Sequence, residues 1–249
     1  MLISANRIRP AFLASVTSAD EAHVALSAGA DIIDCKDPSA GALGALPAHV
    51  IRDIVARVGS NVCVSATIGD LPSDPSVMVN AAEKTAATGV HYVKAGFFGR
   101  DDPRAAISAL GRARLDNARL IAVLMADQSP DFEIVRDLAK NHFAGVMLDT
   151  AEKSSGALPD IVSLQKLASF VSLAKQHGLV AGLAGALRRH HIAQLAALNP
   201  DVLGFRGGLC FDGRASALDV ARIAGIRDEI SAYAFADLDK QTQRQALRI

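Results

Sequence analysis

The sequence lacks the features that mark secreted, membrane-spanning and nucleic-acid-binding proteins. Its 249 residues include no tryptophan and only three cysteines, Cys35, Cys63 and Cys210, with no Cys-x-x-Cys pair. No apolar run approaches the roughly 18 residues that cross a membrane, and the N-terminus lacks a signal-peptide pattern. Basic and acidic residues balance at 26 each, so the formal charge is zero and favours neither nucleic acid nor an anionic membrane. We expect a cytoplasmic protein with reduced, buried thiols that acts on a small molecule.

Motifs for common cofactors are also missing. There is no Walker motif and no Gly-x-Gly-x-x-Gly, so nucleotide binding has no support. His190 and His191 are adjacent and diverge on a helix, and the remaining histidines lack the spacing of zinc ligands. We therefore predict no metal and no cofactor.

Eight short apolar runs alternate with segments of helical periodicity. Their starts are about 20 to 35 residues apart, the size of a βα unit, and the chain length matches the roughly 250 residues of a (β/α)8 barrel. The pattern predicts an α/β protein, a single-domain TIM barrel over residues 1–249, with 237–249 as a C-terminal tail or helix. The alternative is an open, doubly wound sheet. The predicted strands are Ala11–Val16, Asp31–Lys36, Asn61–Thr67, His91–Gly96, Arg119–Met125, Ala144–Asp149, Leu179–Leu183 and Asp201–Arg206.

Helix starts are marked by two sequence signals. Ser18 and Glu21 have capping-box spacing, in which the serine accepts a first-turn amide and the glutamate reaches back to the serine. Ser129-Pro130 predicts an N-cap followed by a proline at the first helical position.

Charged residues recur near the C-terminal ends of the predicted strands. An ionised side chain inside a sheet costs several kcal/mol unless it is paired or hydrated. Active sites of these barrels lie at the C-terminal ends of the strands, so the charges are expected to converge on one pocket. The alternative is a stabilising network of ion pairs at the rim. The residues are Asp34, Lys36, Lys94, Asp149 and Arg206, with Lys153 just beyond the sixth strand.

A lysine cluster of this kind indicates Schiff-base chemistry. A partly desolvated lysine near a second cation has a lowered pKa, and its neutral amine attacks a carbonyl. The resulting imine serves as an electron sink, while an aspartate or another lysine moves protons. The pattern alone does not decide which lysine is the nucleophile.

Small residues after the last two predicted strands indicate a phosphate site. Loops after strands seven and eight often bind phosphate in these barrels, because small residues expose backbone amides to the anion. Gly185, Gly207 and Gly208 fit that role beside Arg206, although such glycines also form ordinary tight turns.

Residues at the end of the third predicted strand and after the second are further candidates for the predicted pocket. Ser65 and Thr67 add hydroxyl groups near the expected pocket. The segment Gly41–Ala45 predicts a flexible loop over the mouth of the barrel.

Several short motifs follow one another along the chain, namely Asp34-Cys-Lys36 with Gly41–Ala45, Ser65–Asp70, Tyr92–Gly96, Leu148–Lys153, Leu183–Gly185 and Arg206-Gly207. Taken in order, they resemble the (5-formylfuran-3-yl)methyl phosphate synthase family of methanofuran biosynthesis, between about Ala11 and Ile230. Two departures lie in loops: Ala42 stands where the family usually has serine, and Ser154-Ser155-Gly156 where it tends to have Asp-Gly.

The resemblance implies a lyase that condenses two molecules of glyceraldehyde 3-phosphate into a furan aldehyde phosphate, releasing one phosphate and two waters. It implies Lys36 as the Schiff-base lysine and Lys94 as the proton acceptor, with Asp34, Asp149 and Lys153 as their polar partners.

Other functions and assemblies stay open at this point. Another class I aldolase or a phosphosugar isomerase would use the same barrel, and a non-catalytic phosphometabolite sensor would use the same cations. Alanine-rich apolar helix faces are compatible with a homo-oligomer.

Overall fold

The computed structural model describes residues 9–60, 62–99, 101–152 and 154–246, without the side chains of 234–246. Eight parallel strands pair in chain order and close into a barrel, which confirms the predicted fold class. The third strand begins at Cys63, and its predicted first residue, Asn61, lies outside the described residues. The strands are β1 Ala11–Val16, β2 Ile32–Cys35, β3 Cys63–Thr67, β4 Tyr92–Phe97, β5 Arg119–Met125, β6 Gly145–Asp149, β7 Val180–Leu183 and β8 Val202–Phe205.

Helices follow the strands and cover the outside of the barrel. Short 3-10 turns occupy Ala126–Gln128 and Arg189–His191. The last helix extends to Ala246, and residues 247–249 lie outside the described part of the chain. The helices are α1 Ala19–Ser27, α2 Ala48–Val58, α3 Pro75–Ala86, α4 Arg104–Leu110, α5 Ile134–Lys140, α6 Leu158–Ile161, α7 Leu164–Gln176, α8 Ile192–Ala196 and α9 Val220–Ala246.

The start of α1 agrees only in part with the predicted capping box. The Ser18 side chain accepts the amide of Glu21, as predicted. The Glu21 carboxylate does not reach the Ser18 amide. It accepts hydrogen bonds from the amide and hydroxyl of Thr17 and pairs with Arg206, which directly follows β8.

The helix start predicted at Ser129-Pro130 is wrong. Ser129 ends the 3-10 turn after β5 with a left-handed backbone, φ 51°, and α5 begins only at Ile134. The extra turn lengthens the loop, so that the Ser-Pro pair lies within the β5–α5 connection.

Alternate residues of each strand face opposite sides of the barrel wall. On β2, Ile33 and Cys35 join the apolar layer between sheet and helices, whereas Ile32 joins the cluster inside the barrel. Asp34 and Lys36 follow Ile32 on the inward face, which brings charge to the C-terminal end of the barrel interior. Across the described residues, no helix is long and apolar enough to cross a membrane.

Candidate active site

The barrel interior changes from apolar to polar towards the C-terminal ends of the strands. The apolar part includes the side chains of Leu13, Ile32, Tyr92, Ile121 and Met147. The next inward residues of three of these strands are polar, namely Ser15 after Leu13, Asp34 after Ile32 and Lys94 after Tyr92. The polar groups therefore rest on an apolar floor that excludes water from their lower side.

Lys94 and Asp34 form a buried ion pair inside the barrel. The Lys94 Nζ lies 2.9 Å from Asp34 Oδ2, and the aspartate is fully buried. The hydroxyl of Ser15 donates to Oδ2 over 2.9 Å, and the hydroxyl of Ser65 donates to Oδ1 over 2.6 Å. These donors stabilise the carboxylate away from water and hold the lysine in one position.

Lys36 and Asp149 form a second buried ion pair at the ends of β2 and β6. The Lys36 Nζ lies 3.1 Å from Asp149 Oδ2, and the exposed fractions of the two residues are 6% and 5%. The other carboxylate oxygen, Oδ1, accepts the amide of Thr150 over 2.8 Å. Two residues 113 positions apart in the chain thus meet where the barrel opens.

One cavity of about 230 Å³ contains both ion pairs. The structure therefore brings Asp34, Lys36, Lys94 and Asp149 together, as the sequence predicts. From the predicted phosphate site, Gly185, Arg206 and Gly207 also line the cavity.

Two predicted residues, Gly208 and Thr67, do not line this cavity. Gly208 lines a separate surface groove and not this cavity. The Thr67 hydroxyl donates to the carbonyl of Gly44 over 2.9 Å, so it braces a loop beside the site. Lys153 lies outside the described residues.

The thiol beside the two lysine pairs is not a nucleophile. Cys35 lies between Asp34 and Lys36 in the chain, yet it is fully buried on the outer face of the strand. Burial raises the pKa of this thiol strongly, and the nearby Asp34 carboxylate adds to that shift. All three cysteines are buried, as predicted.

The segment Gly41–Ala45, predicted as a flexible loop, is bound to its neighbours by hydrogen bonds and by one buried side chain. Asp70, just after β3, accepts the amides of Ala42 and Leu43 over 2.7 and 2.6 Å. The Leu43 side chain is fully buried and reaches the end of β4, where a Cβ on Gly96 would lie 2.4 Å from it. The loop therefore forms a fixed wall of the mouth.

Arg206 connects β8 to α1 and to the following loop. Its guanidinium pairs with the Glu21 carboxylate at 2.6 Å and donates to the carbonyls of Ser15, Arg214 and Ser216. The direct phosphate contact that the sequence indicates for Arg206 stays a prediction.

Two arginines at the mouth were absent from the predicted site. Arg188 follows β7 and donates to the carbonyl of Gly207, and Arg214 follows β8 and donates to the carbonyl of Gly41 over 2.9 Å. Both line the cavity. No sequence motif surrounds either arginine. Only their positions in the loops after β7 and β8 locate them at the mouth of the barrel.

The loop after β7 has an unusual backbone where it borders the cavity. Gly185 and Ala186 both have left-handed φ values, 109° and 48°. A Cβ on Gly185 would lie 2.9 Å from Thr150 Cγ2, so this position requires glycine. A non-glycine residue in this region is strained, which is typical of binding loops.

The fold and the cavity define a class, a barrel enzyme with lysine–carboxylate pairs at the C-terminal mouth. A family model described as 4-HFC-P synthase matches residues 12–227, and the chain belongs to that family. In the part of the chain that is described, no group of three or more His, Cys, Asp and Glu side chains is placed to hold a metal ion.

Named relatives agree with the family. The (5-formylfuran-3-yl)methyl phosphate synthase of Methanothermobacter thermautotrophicus is 36% identical over 211 residues, covering 81% of this chain and 89% of the relative. A Methylorubrum extorquens protein to which the same name is given provisionally is 42% identical over 237 residues, covering 95% and 98%.

Solved structures share the fold at low sequence identity. The 3-hexulose-6-phosphate synthase from Salmonella typhimurium superposes with a TM-score of 0.68 at 15% identity, covering 90% of this chain and 99% of the other. Phosphoribosyl anthranilate isomerase from Thermus thermophilus gives 0.64 at 16% identity, covering 89% and 98%. These two similarities support the barrel and no particular reaction.

Proposed function

We propose that this chain is a (5-formylfuran-3-yl)methyl phosphate synthase, a lyase of methanofuran-type cofactor biosynthesis. It joins two molecules of glyceraldehyde 3-phosphate and releases one phosphate and two waters. The observation that carries the proposal is the pair of buried lysine–aspartate contacts facing one cavity, in a chain that belongs to the 4-HFC-P synthase family.

Lys36 is the nucleophile in this proposal. Its amine lines the cavity just past the end of β2 and contacts a carboxylate that can take its proton. The neutral amine adds to the aldehyde of the first triose, and loss of one water gives the imine. That water is returned when the imine is hydrolysed at the end of the reaction.

Lys94 and Asp34 form the proton relay. In this relay Lys94 first passes its proton to the Asp34 carboxylate over 2.9 Å, and the neutral amine then takes the proton of the carbon next to the imine. The resulting enamine attacks the aldehyde of the second triose. Ser15 and Ser65 fix Asp34, so the relay keeps its position between successive proton transfers. Loss of phosphate and of two waters then closes the aromatic ring, with no net oxidation.

Three buried cysteines, an odd number with no Cys-x-x-Cys pair, fit a reducing compartment, and we assign the enzyme to the cytoplasm. The substrate in this assignment is a small phosphorylated aldehyde, and no cofactor is needed because the imine serves as electron sink.

The test is incubation of the whole protein with glyceraldehyde 3-phosphate alone. We expect an ultraviolet-absorbing furan aldehyde together with inorganic phosphate in equal amounts. Formation of fructose-type sugars or dihydroxyacetone phosphate instead would support another aldolase or an isomerase. Saturable binding without turnover would support a sensor.

Borohydride trapping followed by peptide mapping tests the nucleophile. We expect the reduced adduct on Lys36, and Lys36→Ala should lose both the adduct and furan formation. Lys94→Ala should lose turnover by at least about 100-fold while still forming an adduct. Lys166→Ala, at an exposed position on α7, is the control and should behave as the unaltered protein. An adduct mapped to Lys94 or Lys153 would refute the role given to Lys36.

A further inference from the structure

The guanidinium of Arg206 has no hydrogen-bond donor left for a ligand. An arginine carries five N–H donors, and the structure gives each of these five a protein acceptor. Two donate to the Glu21 carboxylate and three to the carbonyls of Ser15, Arg214 and Ser216. A phosphate on Arg206 would have to displace one of these contacts.

Arg188 and Arg214 have most of their donors available. Within the described residues, Arg188 contacts one acceptor, the carbonyl of Gly207, and Arg214 contacts one, the carbonyl of Gly41. Each guanidinium thus keeps donors that can meet a ligand inside the cavity that both residues line.

The two guanidinium groups stand at different sides of the mouth. A Cβ on Gly207 would lie 3.7 Å from both terminal nitrogens of Arg188, beside the loops after β7 and β8. Arg214 starts near the same glycine, 3.6 Å from that Cβ, but reaches across to the carbonyl of Gly41 after β2. Arg214 lines the same cavity as Lys36 and its partner Asp149.

We propose that Arg188 and Arg214 each receive one phosphoryl group of the two triose phosphates, and that Arg206 is a positioning residue. This inference rests on the proposed function. A guanidinium matches a phosphoryl group with two parallel hydrogen bonds, which a lysine does not offer. Gly185 and Ala186, in the loop just before Arg188, line the same cavity.

In this proposal Arg206 supports the loop of Arg214 without touching the ligand. It fixes the carbonyls of Arg214 and Ser216 on one side and the Glu21 end of α1 on the other. The loop that carries Arg214 over the mouth is thereby attached to the barrel wall.

The test uses inorganic phosphate as the probe, without turnover. A ligand that binds the folded state raises the unfolding temperature, so the melting temperature is followed against phosphate, with chloride at equal ionic strength as reference. We expect Arg188→Gln and Arg214→Gln each to need roughly 10- to 100-fold more phosphate for the same shift. Arg222→Gln, which removes the same charge outside the cavity, is the matched control and should respond as the unaltered protein.

Gly207→Ala probes the same place without removing charge. Its backbone φ is not left-handed and the new methyl meets only ordinary contacts, so the protein should fold while space beside Arg188 is lost. We expect weaker phosphate binding and, in the furan assay, a raised KM for glyceraldehyde 3-phosphate with a smaller change in kcat.

Equal phosphate responses in Arg188→Gln, Arg214→Gln and the unaltered protein would overturn the assignment. The assignment would also be overturned if Arg222→Gln lost as much of the phosphate-induced rise in melting temperature as Arg188→Gln and Arg214→Gln. Failure of the proposed function has a different signature, since phosphate would still bind through the two arginines while no furan forms.

Discussion

At the scale of single residues, the site is built from charges that are stable only in pairs. Asp34 is fully buried and balances Lys94, with two serine hydroxyls completing its hydrogen bonds. Removing one member of such a pair leaves the other as an uncompensated buried charge, whereas removing both is much less harmful.

The first prediction concerns this pair. Asp34→Asn should lower the free energy of unfolding by about 3–5 kcal/mol, because Lys94 is left charged among apolar side chains. The double variant Asp34→Asn with Lys94→Met should recover part of that loss in urea unfolding. A double variant as unstable as the sum of the two single variants would show that the two groups are not coupled.

The sequence-based predictions and the structure also differ most at the scale of single residues. Lys36, Lys94, Asp34 and Asp149 were predictable because each stands at the C-terminal end of an apolar run, where charge is unusual. Arg206 was predicted on the same grounds, but its carboxylate partner lies on α1, 185 positions away, and no local pattern announces that contact. Arg188 and Arg214 have no such signal because they lie in loops.

At the scale of elements, loops after the strands are fixed by side chains from neighbouring strands and helices. The Asp70 carboxylate receives both the Ala42 and the Leu43 amide, which holds the β2–α2 loop against the end of β4. Two short hydrogen bonds to one carboxylate could not be inferred from a glycine- and alanine-rich segment, whose composition is typical of mobile loops.

The second prediction concerns that loop. Asp70→Asn leaves a single carbonyl oxygen for two amides, so about 1 kcal/mol of local stability should be lost. Hydrogen exchange at Ala42 and Leu43 should then accelerate about fivefold. Asp53→Asn, exposed on α2, removes the same charge and should leave both amides unchanged. Unchanged exchange in Asp70→Asn would mean that Leu43 packing alone holds the loop.

The third prediction concerns the link between β8 and α1. Glu21→Gln removes the negative charge opposite Arg206 and should lower the free energy of unfolding by about 2–3 kcal/mol. Because the same link carries the Arg214 loop, KM for the triose phosphate should rise together with the loss of stability. Glu21→Asp should restore part of the stability and part of the lower KM. An unchanged KM in Glu21→Gln would show that the contact between Glu21 and Arg206 does not affect substrate binding.

At the scale of the whole molecule, the barrel itself was predictable. Eight apolar runs at βα spacing in a chain of this length leave little alternative, and strand ends shift by only a residue or two. The start of α5 was not predictable, because Ala126–Gln128 forms an additional 3-10 turn whose stability depends on packing at the barrel rim.

The fourth prediction is a pH dependence of global stability. Burial lowers the pKa of both His91 and His191 below the ordinary 6.5, with nearby positive charge adding to the effect at His191. Each ring accepts a backbone amide at Nδ1, from Val64 and Arg188 respectively, which requires the neutral ring. The unfolded chain therefore binds more protons as the pH falls below 6.5.

The contribution of the two neutral histidines to the free energy of unfolding should thus be fully present above pH 6.5. It should decrease as the pH falls through the lowered pKa values of the folded state. Carboxylates with lowered pKa values, such as Asp37 and Asp74, contribute only in a more acidic range. Urea midpoints between about pH 7 and pH 5 measure the effect. The double variant His91→Gln with His191→Gln should show a flatter dependence of the urea midpoint on pH. An unchanged slope in that variant would mean that other groups cause the pH dependence.

The apolar floor beneath Lys94 has a kinetic consequence. Side chains such as Leu13, Tyr92 and Met147 fill the barrel below the ion pairs and leave a void of only about 20 Å³ there. In the proposed reaction, reactants and products enter and leave at the mouth that Arg188 and Arg214 line. Liberated phosphate then competes with incoming substrate for the two arginines, so accumulating phosphate should slow the enzyme.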